Sequence, residues 1–173
     1  MKNAAAKQRL QGQTHKQIQI EAGDTNYSYS TIFGPLIDST LTKVEVEDPY
    51  IRAGHQIHNF LRLSELLVRK APSLKIISLY TSQDSNPESG RSQEAHLKEI
   101  QQSLQKQNIK LQYSFSGTLH DREIRFDNGW VIKIGRGLDY FQNVGRFSIG
   151  YSDFDLRPCH KTTIDIFHQQ TMA

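Results

Sequence analysis

The chain has 173 residues and 19.9 kDa, with 36% apolar residues, 23% charged residues, 8 Phe, 7 Tyr and one Trp. That is enough core-forming material for one ordinary domain, and it excludes a disordered chain. No apolar run reaches the ~18–20 residues of a membrane span and no signal-peptide pattern opens the sequence; the single cysteine, Cys159, excludes an internal disulfide framework and a multi-cysteine zinc site. A reducing, cytoplasmic compartment fits that cysteine usage. The net charge of +3, from 21 basic and 18 acidic residues, is too mild to announce nucleic acid.

Residues 1–14 read as a linker or disordered leader left from a longer protein. Leu10 is their one large aliphatic residue, and Lys2, Lys7, Arg9 and Lys16 precede the first acid, Glu21. The folded domain is residues 15–173. Ile18 and Ile20 alternate in a strand over Lys16–Glu21. Ser28 caps a short helix whose Tyr29, Ile32, Phe33, Leu36 and Ile37 share a face, with a kink at Pro35. Val44 and Val46 mark a strand over Thr42–Asp48, and a helix from about Ala53 to Lys70 buries Ile57, Phe60, Leu61, Ser64, Leu67 and Val68. Leu74–Thr81 is an apolar strand of the kind covered on both faces. The loop Ser82–Gly90 leads to a helix over Ser92–Gln107, then to the strand Lys110–Ser116.

Beyond that point the texture changes. Glu123–Phe126 and Trp130–Ile134 flank Asn128-Gly129, a strong hairpin signal because both turn residues tolerate positive φ. A glycine-punctuated loop, Gly135–Arg146, leads to expected strands over Phe147–Tyr151 and Thr162–Phe167. Strands alternating with helices argue for an α/β fold with helices on both faces of the sheet, and the hairpin makes that sheet mixed.

The stretch His120-Asp121-Arg122-Glu123-Ile124-Arg125-Phe126-Asp127 carries the clearest chemistry. His120 and Arg122 leave one face of an extended segment. Asp127, beside the turn, could return to orient the imidazole. An imidazole that attacks phosphorus, a carboxylate that fixes its tautomer and a cation that holds the oxygens would together make a phosphate site. On spacing alone, a surface His-x-Arg pair is the more ordinary reading. Gly135-Arg136-Gly137 could present a nest of backbone N–H groups to an anion or could simply be a tight loop. Arg125 and Lys133 should share the hairpin face opposite its apolar residues. Basic and acidic residues after Gly117 balance, so a basic patch requires their segregation in space.

His120-x-Arg122-x4-Asp127, followed by Asn128-Gly129-Trp130 and Ile132-Lys133-Ile134-Gly135, resembles the His-x-Lys-x4-Asp motif of the phospholipase D superfamily. Further blocks are similar to the phospholipase D-like domain at the C-terminus of MIT domain-containing proteins. Among them are His15–Ile18, Glu47-Asp48-Pro49-Tyr50-Ile51-Arg52, Gly135-Arg136-Gly137-Leu138-Asp139-Tyr140-Phe141 and Asp153–His160. The resemblance implies a phospholipase D-like fold that forms a homodimer and binds acidic phospholipids, phosphoinositides in particular, as a peripheral membrane protein of endosome or midbody. It also implies a link to ESCRT-III and cytokinesis through an N-terminal helical domain absent from this chain. No cofactor, metal or nucleic acid is expected.

The departures from the active-enzyme pattern point away from catalysis. Arg122 stands at the lysine position, the loop lacks the usual Ser and Asn, and one chain holds only one motif. The expected lipid phosphate-binding residues are therefore His120, Arg122, Arg125, Lys133, Arg136 and Arg52. The competing reading is a phosphodiesterase, phospholipase or nuclease, with His120 as nucleophile; a third is a protein-interaction scaffold using the aromatics of Gly135–Phe141. His55-x-x-His58 has no third ligand for zinc, and Cys159 reads as a structural, half-buried thiol.

Overall fold

The computed structural model describes residues 15–169, and the expected leader lies outside them. The strands are β1 (His15–Ile20), β2 (Lys43–Glu47), β3 (Ile76–Thr81), β4 (Lys110–Phe115), β5 (Glu123–Phe126), β6 (Trp130–Ile134) and β7 (Thr162–His168). They form one sheet in the order β1-β7-β6-β5-β2-β3-β4. β2, β3 and β4 run parallel, whereas β5, β6, β7 and β1 join antiparallel, so the sheet is mixed as expected.

The helices among the described residues are α1 (Tyr29–Phe33), α2 (Gly54–Lys70) and α3 (Pro87–Gln105), with a 3-10 turn at Gly34–Leu36. Ser28 caps α1 by accepting from the Thr31 amide. Pro35 ends α1 in the 3-10 turn rather than kinking a longer helix. Gln56 Oε1 accepts from the amides of Arg52 and Ala53 at 3.1 Å each, which holds the entry to α2. α3 starts earlier than the sequence suggested, because Asn86 accepts from the Glu88 and Ser89 amides and Pro87 suits the first turn. The turn chemistry thus takes the end of the expected 82–90 loop into the helix.

Both parallel crossovers step the same way along the sheet, so right-handed connections put α2 and α3 on one side. α1 packs against α2 there. The α/β class stands, while the described helices gather on the apolar face instead of dividing between the two. That face carries Ile18, Ile20, Val44, Val46, Ile77, Leu79, Ile124, Ile132, Ile164 and Ile166, and it meets Ile57, Phe60, Leu63 and Leu67 of α2. Leu61 and Val68 are only half-buried, and Leu63 and Leu66 take the buried places. The opposite face reads as a polar mosaic: Gln17, Asp165, Lys133 and Glu123 lie side by side across four strands, with Arg125 beside Glu45.

Two expectations fail after Gly135. Phe147–Tyr151 is not a strand but consecutive turns, with Ser148 N bonded to Gly145 O at 2.9 Å and Tyr151 N to Ser148 O at 3.1 Å. Its alternating apolar residues face water, not a neighbour strand. The aromatics of Gly135–Phe141 belong to the core: Leu138, Tyr140 and Phe141 are buried. Tyr29 donates to Leu138 O at 2.5 Å and Tyr140 to Tyr27 O at 2.6 Å. A scaffold surface built from those rings has no support.

Candidate phosphate-binding site

The hairpin brings part of the expected set together. His120, Arg122, Lys133, Gly135 and Asp165 line an open depression of about 430 Å³ beside β5 and β6. His120 is exposed. Arg122 Nη1 donates to Gly135 O at 2.8 Å, and its guanidinium lies 4.7 Å from the centroid of the Tyr50 ring. Arg52 lies 5.6 Å from the same centroid. Tyr50 follows the end of β2 by three residues, so the ring gathers two arginines at the carboxyl edge of the parallel strands, where ligands bind in open α/β sheets. The sequence marked Asp48-Pro49-Tyr50 as an edge but did not reveal the ring as the link between the arginines.

Asp127 does not orient His120. They flank opposite ends of β5, about 20 Å apart at strand rise. Asp127 accepts instead from the Thr42 amide at 2.9 Å and from the Thr42 hydroxyl, tying the hairpin to the entry of β2. The anion nest also fails. Gly135 N bonds Thr163 O, Arg136 N bonds Thr162 Oγ1, Gly137 N bonds Ile134 O and Leu138 N bonds Asp48 Oδ2, all at 3.0–3.1 Å. The amides of residues 135–138 are all committed to the fold. Arg136 itself is exposed and donates Nε to Asp139 O at 3.1 Å.

Nor do Arg125 and Lys133 form a basic patch. They share a face as expected, but Arg125 pairs with Glu123 at 3.2 Å, and Lys133 sits in register between Glu123 and Asp165. Next to them the carboxylates of Glu47, Asp121 and Glu123 have oxygens within 4.8 Å of one another. Burial and the like charges of Glu123 and Asp121 push the Glu47 carboxyl above its ordinary value. Of the expected basic residues, Arg52 and Arg122 thus meet at Tyr50, while Arg125 and Lys133 of the hairpin lie beside acids.

Beneath Tyr50, the Asp48 carboxylate is buried and accepts from Tyr50 N at 2.9 Å and Leu138 N at 3.0 Å. Burial raises its carboxyl above the usual range, partly offset by those two amides and by Arg122. His55 Nε2 lies 3.2 Å from Asp139, and His58 is exposed. Cys159 is fully buried rather than half-buried; burial pushes its thiol up to about 11, which suits a structural residue and not a nucleophile.

Asp155 makes the acid response of this end of the molecule testable. Burial alone would raise its carboxyl, but Ser28 N at 3.1 Å and Thr31 Oγ1 at 2.9 Å hold it below the ordinary value. A depressed carboxyl contributes stability above the unfolded value of about 3.9 and loses it as pH falls through the folded value. Asp155→Asn should lower stability at neutral pH and flatten the loss below about pH 4. Urea melts across that range measure it, and a parallel downward shift at every pH would contradict it.

A family model described as the phospholipase D-like domain at the C-terminus of MIT matches residues 26–168. MIT domain-containing protein 1 of Mus musculus is 51% identical over 160 residues, a match covering 92% of this chain and 64% of the mouse protein. The chain thus spans somewhat less than two thirds of that relative. A polyphosphate kinase from Porphyromonas gingivalis superposes with a TM-score of 0.51 at 9% identity, over 94% of this chain and 24% of the kinase, which shows likeness of fold alone. The family model spans most of the chain and the mouse relative is more than half identical, so the chain belongs to the family of phospholipase D-like domains found at the C-terminus of MIT proteins.

Proposed function

We propose that this domain binds acidic phospholipids, phosphoinositides among them, as a peripheral, non-catalytic homodimer. The observation that carries this reading is the pair of arginines gathered on Tyr50, at a motif site whose carboxylate and loop amides are spent elsewhere. Arginine offers phosphate a planar, charged fork, and its motif position keeps that affinity without lysine's point charge. Pairing of two chains would double the number of arginines facing one membrane, which strengthens weak binding through effective concentration. A setting at ESCRT-III membranes during cytokinesis is what the family resemblance of the motif blocks implies for this binding.

Each basic residue near an anionic surface contributes about 1 kcal/mol, a factor of roughly five. Arg52→Ala and Arg122→Ala should each weaken binding to phosphatidylcholine–phosphoinositide vesicles by about that factor, with a shallower salt dependence. Arg125→Ala, which removes a residue already paired with Glu123, should change it far less. Co-sedimentation that is equal for neutral and acidic vesicles would remove the reading.

A further inference from the structure

Between Val144 and Tyr151 the chain makes a short protruding tip with Phe147 102% and Ile149 81% exposed. It is a built feature. The two turns at Gly145–Ser148 and Ser148–Tyr151 are hydrogen-bonded, Gly150 holds φ +93°, and Arg157 pins the base by donating to Gly150 O and Tyr151 O at 2.8 Å each. Behind the tip, Val144 and Tyr151 line a cleft of about 350 Å³ that also contains Arg62, Phe154 and Arg157. The two guanidiniums lie 3.7 and 4.2 Å from the centroid of the Phe154 ring. Neither forms an ion pair among the described residues, and Arg62 Nε is buried without an acceptor. Asp139 shares the cleft, but its oxygens face His55, Gln56 and Asn59. Arg62 Nη2 donates to Asn59 Oδ1, yet its buried Nε–H stays unmet and neither guanidinium has a carboxylate partner among the described residues, which favours an anion, because an unpaired buried donor is costly.

We propose that residues 145–151 are a membrane-inserting tip, with Phe147 and Ile149 entering the acyl boundary of an anionic bilayer while Arg62 and Arg157 take a lipid phosphate in the cleft behind. This rests on the membrane-binding reading above and adds to it an apolar anchor and a phosphate site apart from the motif. Two such side chains offer roughly 300–400 Å², well short of the ~800 Å² per partner that a stable protein interface needs. A fluid bilayer needs no shape-complementary rim around them. The cleft lies at the same end as Arg52, which precedes α2, since His55 and His58 from the first turns of α2 also line it.

The test compares the wild-type domain with Phe147→Ser/Ile149→Ser and Arg62→Gln on phosphatidylcholine–phosphoinositide vesicles and on soluble inositol trisphosphate. The tip variant should lose at least about tenfold in vesicle affinity and keep its headgroup affinity. Arg62→Gln should lose both by several-fold. Should it melt early, Arg62→Lys, which keeps the charge and loses the stacked fork, replaces it with the same expectation. Phe147→Trp should blue-shift on vesicles and be quenched by lipids brominated in their chains. Unchanged vesicle binding by the tip variant, or an unquenched Phe147→Trp on vesicles that still bind, overturns the insertion while leaving the membrane reading standing. Headgroup binding that equals vesicle binding points to a soluble phosphate ligand and overturns it too, as does a tip variant that dissociates a dimer. A wild-type domain that binds no acidic vesicle overturns both.

Discussion

Gly137→Ala should destabilise the domain by about 2–5 kcal/mol, the largest loss expected from any single methyl group here. Gly137 holds φ +65°, a conformation that costs an L side chain about 1–2 kcal/mol. A Cβ there would stand 2.2 Å from Asp48 Oδ2. Asp48 cannot move away freely, because it is buried and satisfies the amides of Leu138 and Tyr50. Leaving a buried donor unpaired adds about 1–3 kcal/mol. In a domain of this size that total lowers Tm by roughly 10 °C. Gly23→Ala is the control: φ is +92°, yet nothing lies within 4 Å of its Cβ. It should cost only the conformational part. Equal losses from the two substitutions, read by thermal melts, would show that the approach to Asp48 carries no energy.

The same loop shows what a sequence can and cannot display. The motif block Gly135–Phe141 stood out as residue types, and its glycines suggested an anion nest. Whether an amide is free depends on Thr162 and Thr163 of β7 and on Asp48 just past β2, which take the amides of Gly135, Arg136 and Leu138, while Ile134 takes that of Gly137. Strands, helices and the Asn128-Gly129 hairpin were legible because period and turn chemistry are local properties. The strand expected at Phe147–Tyr151 failed for the opposite reason. Its alternation is real, but no partner strand lies alongside, and a period of two cannot say what it faces. Arg52 and Arg122 are seventy positions apart. Only the fold places both against Tyr50, and only the fold spends Asp127 on Thr42.

That last contact bears on catalysis. The purified domain should not hydrolyse phosphodiesters, although His120 is exposed beside Arg122 and Lys133. Turnover through a phosphohistidine needs a nucleophilic imidazole held in one tautomer, a second acid for the leaving alkoxide and donors fixed on the phosphoryl oxygens. Asp127 is turned to Thr42, Arg122 has one nitrogen on Gly135 O, and the loop amides nearest the motif are occupied. Each missing donor commonly costs ~10²–10³ in rate, and although such losses are not strictly additive, several together put activity below ordinary detection. A two-fold partner could bring a second His120 but not the missing donors. With bis-nitrophenyl phosphate and with phosphatidylcholine, the expected result is no turnover above background, and no change in any residual signal on His120→Ala. Arg122→Ala should leave that signal alone as well while weakening acidic-vesicle binding, which separates the two uses of one site. Hydrolysis that disappears with His120→Ala would make this an enzyme.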